Sequence, residues 1–156
     1  MDRSPKETWS KSTARTERKP TPQLRPNFSG DYALDRDASK LEGGAASARG
    51  AVLRIDHHEP MIRIESKFEF FDKTFSWSMH RAVDGREVAD HSDPLSRSSL
   101  GWDDSALLFT VRSAGANGVV MKWRYELADG GRQLNAVEQI RGGGRDQDNT
   151  WVFNRR

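Results

Sequence analysis

The sequence predicts an all-β protein, a single antiparallel up-and-down β-barrel of about ten short strands over residues 28–156 after a disordered tail over residues 1–27. Apolar and polar residues alternate in short runs from Phe28 onward, which is the period of a half-buried strand. Turn-forming pairs such as Asp129-Gly130 separate these runs. The single helical candidate, Arg36 to Leu41, is too short to stand alone and is followed by two glycines.

The tail is predicted from its composition. Residues 1–27 are rich in Pro, Ser and Thr and contain seven Lys or Arg and three acidic residues, a net charge of +4. The whole chain carries +2, so the remaining residues carry −2. Because a nearly neutral barrel lacks the basic face that nucleic-acid binding requires, we expect no nucleic-acid partner.

The composition also excludes several kinds of catalytic and metal-binding site. The chain has no cysteine, which excludes disulfides, thiolate catalysis and Cys-based zinc sites. The histidines do not converge, because His57 and His58 are neighbours in a predicted turn, His80 falls on the polar face and His91 leads into a loop. We therefore expect neither a metal nor a cofactor.

The sequence also bears on location. No apolar run approaches the length of a membrane span, and the N-terminus lacks a secretory signal. We expect a cytoplasmic protein without integral membrane association, unless a segment upstream of Met1 carries an export signal. A monomer or weak dimer is expected.

Turn residues delimit the strands that we expect. The predicted strands are near residues 28–35, 51–56, 61–71, 74–83, 86–91, 96–102, 105–112, 118–127, 132–141 and 149–155.

Two-residue turns then set the expected registers. They lie at Asp72-Lys73, Asp84-Gly85, Asp103-Asp104 and Asp129-Gly130. The pairs expected across the strands are Phe70 with Phe75, Phe68 with Trp77, Ser66 with Met79, Leu100 with Leu107, Tyr125 with Leu134, Trp123 with Ala136 and Met121 with Glu138, and Val88 is expected on the face of Met79. These turns agree on one continuous apolar face, which predicts that the sheet curls round itself to cover that face. The predicted apolar face consists of Ile62, Ile64, Phe68, Phe70, Phe75, Trp77, Met79, Leu100, Trp102, Leu107, Phe109, Val111, Met121, Trp123, Tyr125, Leu134, Trp151 and Phe153.

A few polar residues are in phase with the apolar face. They are Ser66, Arg81, Asp90, Ser98, Glu138 and Arg155. A charge at such a position must be paired, near a barrel mouth or facing a wet cavity. Glu138 lies between Ala136 and Ile140 and is either a polar anchor for a ligand or a satisfied structural carboxylate. Arg81 and Arg155 lie near strand ends, where a solvated rim position is the favoured interpretation.

Three stretches of the chain resemble the calycin superfamily, in particular its lipocalin-like and fatty-acid-binding-protein-like barrels. The opening Asn27-Phe28-Ser29-Gly30-Asp31-Tyr32-Ala33-Leu34-Asp35 is similar to their first-strand motif, with Tyr32 in place of the usual Trp. The segment from Ile55 to Phe75 is similar to their second and third strands, and that from Trp102 to Phe153 to their final strands. The resemblance implies a barrel that carries an apolar molecule in its interior.

This chain departs from the family pattern in two places. Only about 15 residues, Arg36 to Gly50, join the first two strands, so we expect a loop rather than the two-helix lid of fatty-acid-binding proteins. Trp151 and Phe153 stand where that family often has an Arg and a Tyr that hold a carboxylate. The resemblance therefore implies a binding barrel but not a fatty acid as its ligand.

The function predicted first is non-covalent binding or carriage of a small hydrophobic molecule in the barrel interior. The candidate ligand-binding residues are Phe68, Phe75, Trp77, Met79, Ser98, Phe109, Met121, Trp123, Glu138 and Trp151. A structural or interaction module, with a side-chain-filled barrel and a partner-binding tail, is the alternative. A barrel isomerase or hydratase that uses Glu138 is a third hypothesis.

Overall fold

The computed structural model describes residues 25–90, 95–113, 118–144 and 146–156. Most of the predicted tail, residues 1–24, lies outside these ranges, as do His91 and the loop that it begins. The strands are β1 (Gly30–Leu34), β2 (Ala48–His58), β3 (Met61–Phe70), β4 (Thr74–Ala82), β5 (Glu87–Ala89), β6 (Ser96–Asp103), β7 (Ala106–Ser113), β8 (Val120–Ala128), β9 (Gln133–Arg141) and β10 (Gln147–Arg155).

These ten strands form one antiparallel sheet, which confirms the predicted fold class for the described residues. The order across the sheet is β4-β3-β2-β1-β10-β9-β8-β7-β6-β5. Apart from β4 and β5, strands that are consecutive in sequence lie side by side, and the first strand pairs with the last, where Phe153 faces Leu34. The sheet therefore curls into a half-barrel whose two edges, β4 and β5, come from the middle of the chain.

The predicted registers of three hairpins are wrong, although the side chains lie on the faces predicted for them. Trp123 lies opposite Glu138 rather than Ala136, because a four-residue connection replaces the turn at Asp129-Gly130. Phe75 lies opposite Phe68 rather than Phe70, and Leu100 lies opposite Phe109 rather than Leu107. In each case the partner is displaced by two residues. Because side chains alternate with a period of two, such a displacement keeps every side chain on its face.

The remaining predicted pairs are shifted in the same way. The observed partners are Ile64 for Met79, Ser66 for Trp77, Ile140 for Met121 and Ala136 for Tyr125. The expected hairpin at Asp84-Gly85 is wrong, since among the described residues β4 and β5 share no ladder. Val88 on β5 is accordingly 44% exposed instead of packed beside Met79.

The seam between β4 and β5 is bridged by side chains and turns. On β4, Arg81 donates from Nη1 to Ser98 Oγ at 2.6 Å and from Nη2 to the Ser98 and Arg86 carbonyls at 3.2 and 3.3 Å. Burial lowers the pKa of the Arg81 guanidinium, partly offset by Asp84. Arg81 is therefore a half-buried bridge across the seam rather than the solvated rim residue expected from the sequence.

The connection between β1 and β2 is a loop, as expected. It extends the pairing along β10, where Lys40 and Thr150 exchange backbone hydrogen bonds of 2.8 Å. A 3-10 helix over Gly43–Ser47 follows. The helical candidate at Arg36 to Leu41 is thus wrong, because this segment forms a turn over residues 36–38 and Lys40 then pairs with Thr150 on β10.

One end of the barrel is closed by the segment that enters β1. Phe28 and Tyr32 are fully buried, and the Tyr32 hydroxyl donates to the Phe28 carbonyl at 2.7 Å. Arg155 donates to the Tyr32 hydroxyl at 2.9 Å and to the Gly131 carbonyl at 2.9 Å. The Arg155 side chain therefore links Tyr32 to Gly131 at this end of the barrel and is not merely a solvated rim residue.

His57 belongs to the same closed end. The sequence placed it in a turn, but β2 continues through His58 and His57 is buried. Its Nδ1 accepts a hydrogen bond from the Phe28 amide at 3.1 Å, so its Nε2 carries the proton and donates to Glu59 at 3.1 Å. The ring also packs against Phe28 and Trp102, with centroid distances of 6.0 and 5.7 Å.

Candidate functional site

The apolar face encloses a cavity of about 280 Å³. It is lined by seven of the residues that the sequence nominated and by five others. The nominated ones are Phe68, Phe75, Trp77, Phe109, Met121, Trp123 and Glu138, and the others are Leu53, Ser66, Val111, Tyr125 and Phe153. Strands from both halves of the sheet contribute, so the cavity lies inside the curl.

Three nominated residues do not line this cavity. Trp151 is 3% exposed, and its ring meets that of the lining residue Phe68 edge-on at 5.2 Å. Met79 is partly buried against the core. Ser98 lies at the seam, hydrogen-bonded to Arg81. All three residues lie on the apolar face, but the strand register and the seam between β4 and β5 decide which residues of that face reach the cavity.

Glu138 is the buried carboxyl of the cavity. It lies on β9, is 7% exposed, and its Oε1 accepts hydrogen bonds from Asn149 Nδ2 at 3.0 Å and Trp151 Nε1 at 3.1 Å. Both donors come from β10 and are neutral. Asn149 is fixed in turn, because its Oδ1 accepts a hydrogen bond from the Glu42 amide at 2.7 Å. The carboxyl is therefore held in one orientation by a chain of contacts that reaches the β1–β2 connection.

The electrostatics of the site follow from its burial. Burial raises the pKa of Glu138, and the hydrogen bonds from Trp151 and Asn149 oppose that change. Burial also raises the pKa of Tyr125, and the nearby Glu138 charge raises it further, so the phenol stays protonated. A carboxyl and a neutral phenol thus lie close together in an otherwise apolar space.

Aromatic contacts make up much of the cavity wall. Trp123 stacks on Tyr125 with a centroid distance of 6.0 Å and an angle of 11°. Trp77 and Phe109, on opposite halves of the sheet, meet at 5.7 Å. Trp123 Nε1 donates to the Met121 sulfur at 3.2 Å, which gives that indole a polar partner. These contacts hold the rings in place around the cavity.

The cavity reaches the surface beside the β3–β4 hairpin. Phe75 lines the cavity and is 53% exposed, and Phe71 in the hairpin is 79% exposed. Leu95, which precedes β6 at the same end of the barrel, is 58% exposed. Since Phe28 and His57 close the opposite end, the site has an apolar mouth at one end.

Most lining residues outside the nominated set were visible in the sequence. Val111, Tyr125 and Phe153 were on the predicted apolar face, and Ser66 was among its in-phase polar residues. Leu53 was missed, although its alternation with Ala51 and Ile55 on β2 carried the same signal. Asn149 was also missed, because a lone Asn at the start of a strand gives no sign that it will face a carboxyl.

Other kinds of site find no support in the described ranges. The described ranges contain no group of three or more His, Asp or Glu that could hold a metal ion. Nor is any helix in these ranges long and apolar enough to cross a membrane.

Comparison with known proteins gives structural neighbours only. No family model and no curated protein matches the sequence. Among solved structures, the fluorescent protein UnaG superposes with a TM-score of 0.59 at 12% identity, over 83% of this chain and 97% of that one. Secretory abundant heat soluble protein 4 from Ramazzottius varieornatus gives 0.56 at 9% identity, over 83% and 95%. A second secretory abundant heat soluble protein from that organism gives 0.58 at 12% identity, over 82% and 94%. These likenesses and the curled antiparallel sheet establish that the chain has a calycin-like β-barrel fold.

Proposed function

We propose that this protein binds a small hydrophobic molecule non-covalently inside its barrel. The observation that carries the proposal is the cavity of about 280 Å³, whose wall is mainly aromatic and aliphatic around one buried carboxyl, Glu138. A concave, largely apolar site with a few fixed polar groups is typical of small-molecule binding. The apolar mouth beside Phe75 supplies a route of entry.

The affinity in this proposal comes mainly from the hydrophobic effect. Apolar area removed from water contributes about 25 cal/mol per Å² before the cost of association is subtracted. Glu138, held by Asn149 and Trp151, fixes the orientation of the ligand. Met121 can adapt to its shape, since an unbranched thioether tolerates different contacts.

The test is native mass spectrometry of gently purified protein, followed by extraction of any bound molecule and by titration with a hydrophobic dye. Two variants sharpen it. Val111→Phe adds a ring to a lining position, and Lys122→Phe adds the same ring on the outer face of the neighbouring strand. We expect Val111→Phe to lose dye binding and Lys122→Phe to keep it.

Two results would contradict the proposal. One is an apo mass together with failure of the dye to bind the wild-type protein. The other is equal dye binding by the wild type and Val111→Phe, because the dye would then lie outside the cavity. Either result would favour the interaction module whose contact element is the N-terminal tail.

An isomerase or hydratase on this barrel is a second candidate, favoured by one observation. Burial raises the pKa of Glu138, which is the change that a carboxyl needs to act as a general base near neutral pH. A carboxyl titration by NMR tests this candidate. A Glu138 pKa at the ordinary value of about 4.3 would remove its basis.

A further inference from the structure

The polar groups of the cavity define what kind of ligand it can hold. Of its described lining residues, only Ser66, Tyr125 and Glu138 are polar, and none is a Lys, Arg or His. Ser66 already donates its hydroxyl hydrogen to the Trp77 carbonyl at 3.0 Å. Glu138 is therefore the one formally charged side chain among these residues, and its charge is negative.

The Glu138 carboxyl is oriented as a hydrogen-bond acceptor. Both groups that contact its Oε1, Asn149 Nδ2 and Trp151 Nε1, are donors. Neither carries a positive charge, so the carboxylate is oriented but not neutralised. An ionised carboxyl withdrawn from water without a counter-charge is costly, and a cation brought in by a ligand would remove that cost.

The cavity wall also favours a cation. Seven of the twelve described lining residues are aromatic, including Trp123 and Tyr125, which stack at 6.0 Å. The faces of aromatic rings carry partial negative charge and attract ammonium groups within about 6 Å, most strongly where water is excluded. Aromatic rings around a carboxylate therefore form a site suited to an ammonium group.

The same lining residues disfavour an anionic ligand. A carboxylate in this cavity would bring a second negative charge close to Glu138, and the described lining residues offer no cation to it. Arg81, a half-buried guanidinium in phase with the apolar face, is engaged at the seam by Ser98 and Arg86. A free fatty acid is thus disfavoured.

We propose that the cavity selects an apolar molecule that carries a protonated amine, whose ammonium group pairs with Glu138 while its apolar body packs against the aromatic wall. This inference rests on the proposed function and names its ligand class.

The experiment compares three eight-carbon probes by isothermal titration calorimetry at neutral pH: octylamine, octanol and octanoate. It uses the wild type, Glu138→Gln and Glu65→Gln. Gln keeps an oxygen that can accept the hydrogen bonds from Asn149 and Trp151, so the site stays in shape. Glu65 is exposed on the outer face of β3, and its substitution removes the same charge away from the cavity.

We expect octylamine to bind the wild type about tenfold or more tighter than octanol, with octanoate weakest, as a charge-assisted hydrogen bond in a dry site implies. In Glu138→Gln, octylamine should weaken by about tenfold or more, to the level of octanol, while octanol changes by less than about threefold. Glu65→Gln should behave as the wild type.

Two outcomes overturn the ligand class and leave the binding function standing: octanoate binding as tightly as octylamine, or an amine preference that persists in Glu138→Gln. If none of the three probes binds and a hydrophobic dye is also excluded, the proposed function itself fails. The two failures are thus distinguishable.

Discussion

Tyr32→Phe is the sharpest test of how the closed end of the barrel is held. Tyr32 is fully buried, and its hydroxyl donates to the Phe28 carbonyl and accepts a hydrogen bond from Arg155. The substitution keeps the ring and removes the hydroxyl. The Phe28 carbonyl then loses this donor in a buried position, whereas the exposed Arg155 keeps its hydrogen bond to the Gly131 carbonyl and can turn to water.

The magnitude follows from that asymmetry. A buried acceptor left without its donor costs about 1–3 kcal/mol, whereas an exposed guanidinium loses little. We expect the free energy of unfolding of Tyr32→Phe to fall by about 2 kcal/mol. The unfolding slope with urea should not change, because the surface exposed on unfolding stays the same.

The assay is urea denaturation followed by tryptophan fluorescence. Trp102 is a local reporter, since its ring lies 6.1 Å from that of Phe28. Asp31→Asn, on the same strand but paired with Arg54 at the surface, is the control and should change stability by less than about 0.5 kcal/mol. A loss below about 0.5 kcal/mol in Tyr32→Phe, or an equal loss in the control, would refute the account of this closure.

Three further predictions concern the carboxyl and the seam. Because burial raises the pKa of Glu138, the folded state holds that proton more tightly than the unfolded state, and this contribution to stability is lost as pH rises. The melting temperature of Glu138→Gln should therefore rise relative to the wild type between about pH 4 and pH 7; a constant difference would contradict the linkage. Trp151→Phe removes one donor, so we expect a higher Glu138 pKa by carboxyl NMR, and an unchanged value would disprove that role of the indole. Ser98→Ala removes an acceptor of Arg81, and amide exchange in β5 should quicken about fivefold while β9 exchange is unchanged; equal exchange in β5 would show that the bridge does not hold the seam.

Alternation along the chain was enough to predict the inward face. Trp77, Phe109 and Trp123 were placed on one apolar face by period alone, and all three line the cavity. That prediction survived errors in three hairpins, because each error displaced the partner by two residues and two is the side-chain period of a strand. Turn chemistry located these three hairpins but not the residues that form their connections, and the hairpin that it predicted at Asp84-Gly85 does not form a ladder.

The sequence by itself therefore determined the fold class and most of the side chains that point inward. It also singled out Glu138 as a carboxyl in phase with the apolar face. The tertiary structure alone decided that the β4–β5 seam lacks a ladder, that Arg81 bridges it, and that Asn149 and Trp151 converge on Glu138. The physical reason is the sequence separation of the residues involved. The strand period is a property of adjacent residues, whereas the register, the seam and the partners of a buried carboxyl depend on how strands that are distant in sequence meet.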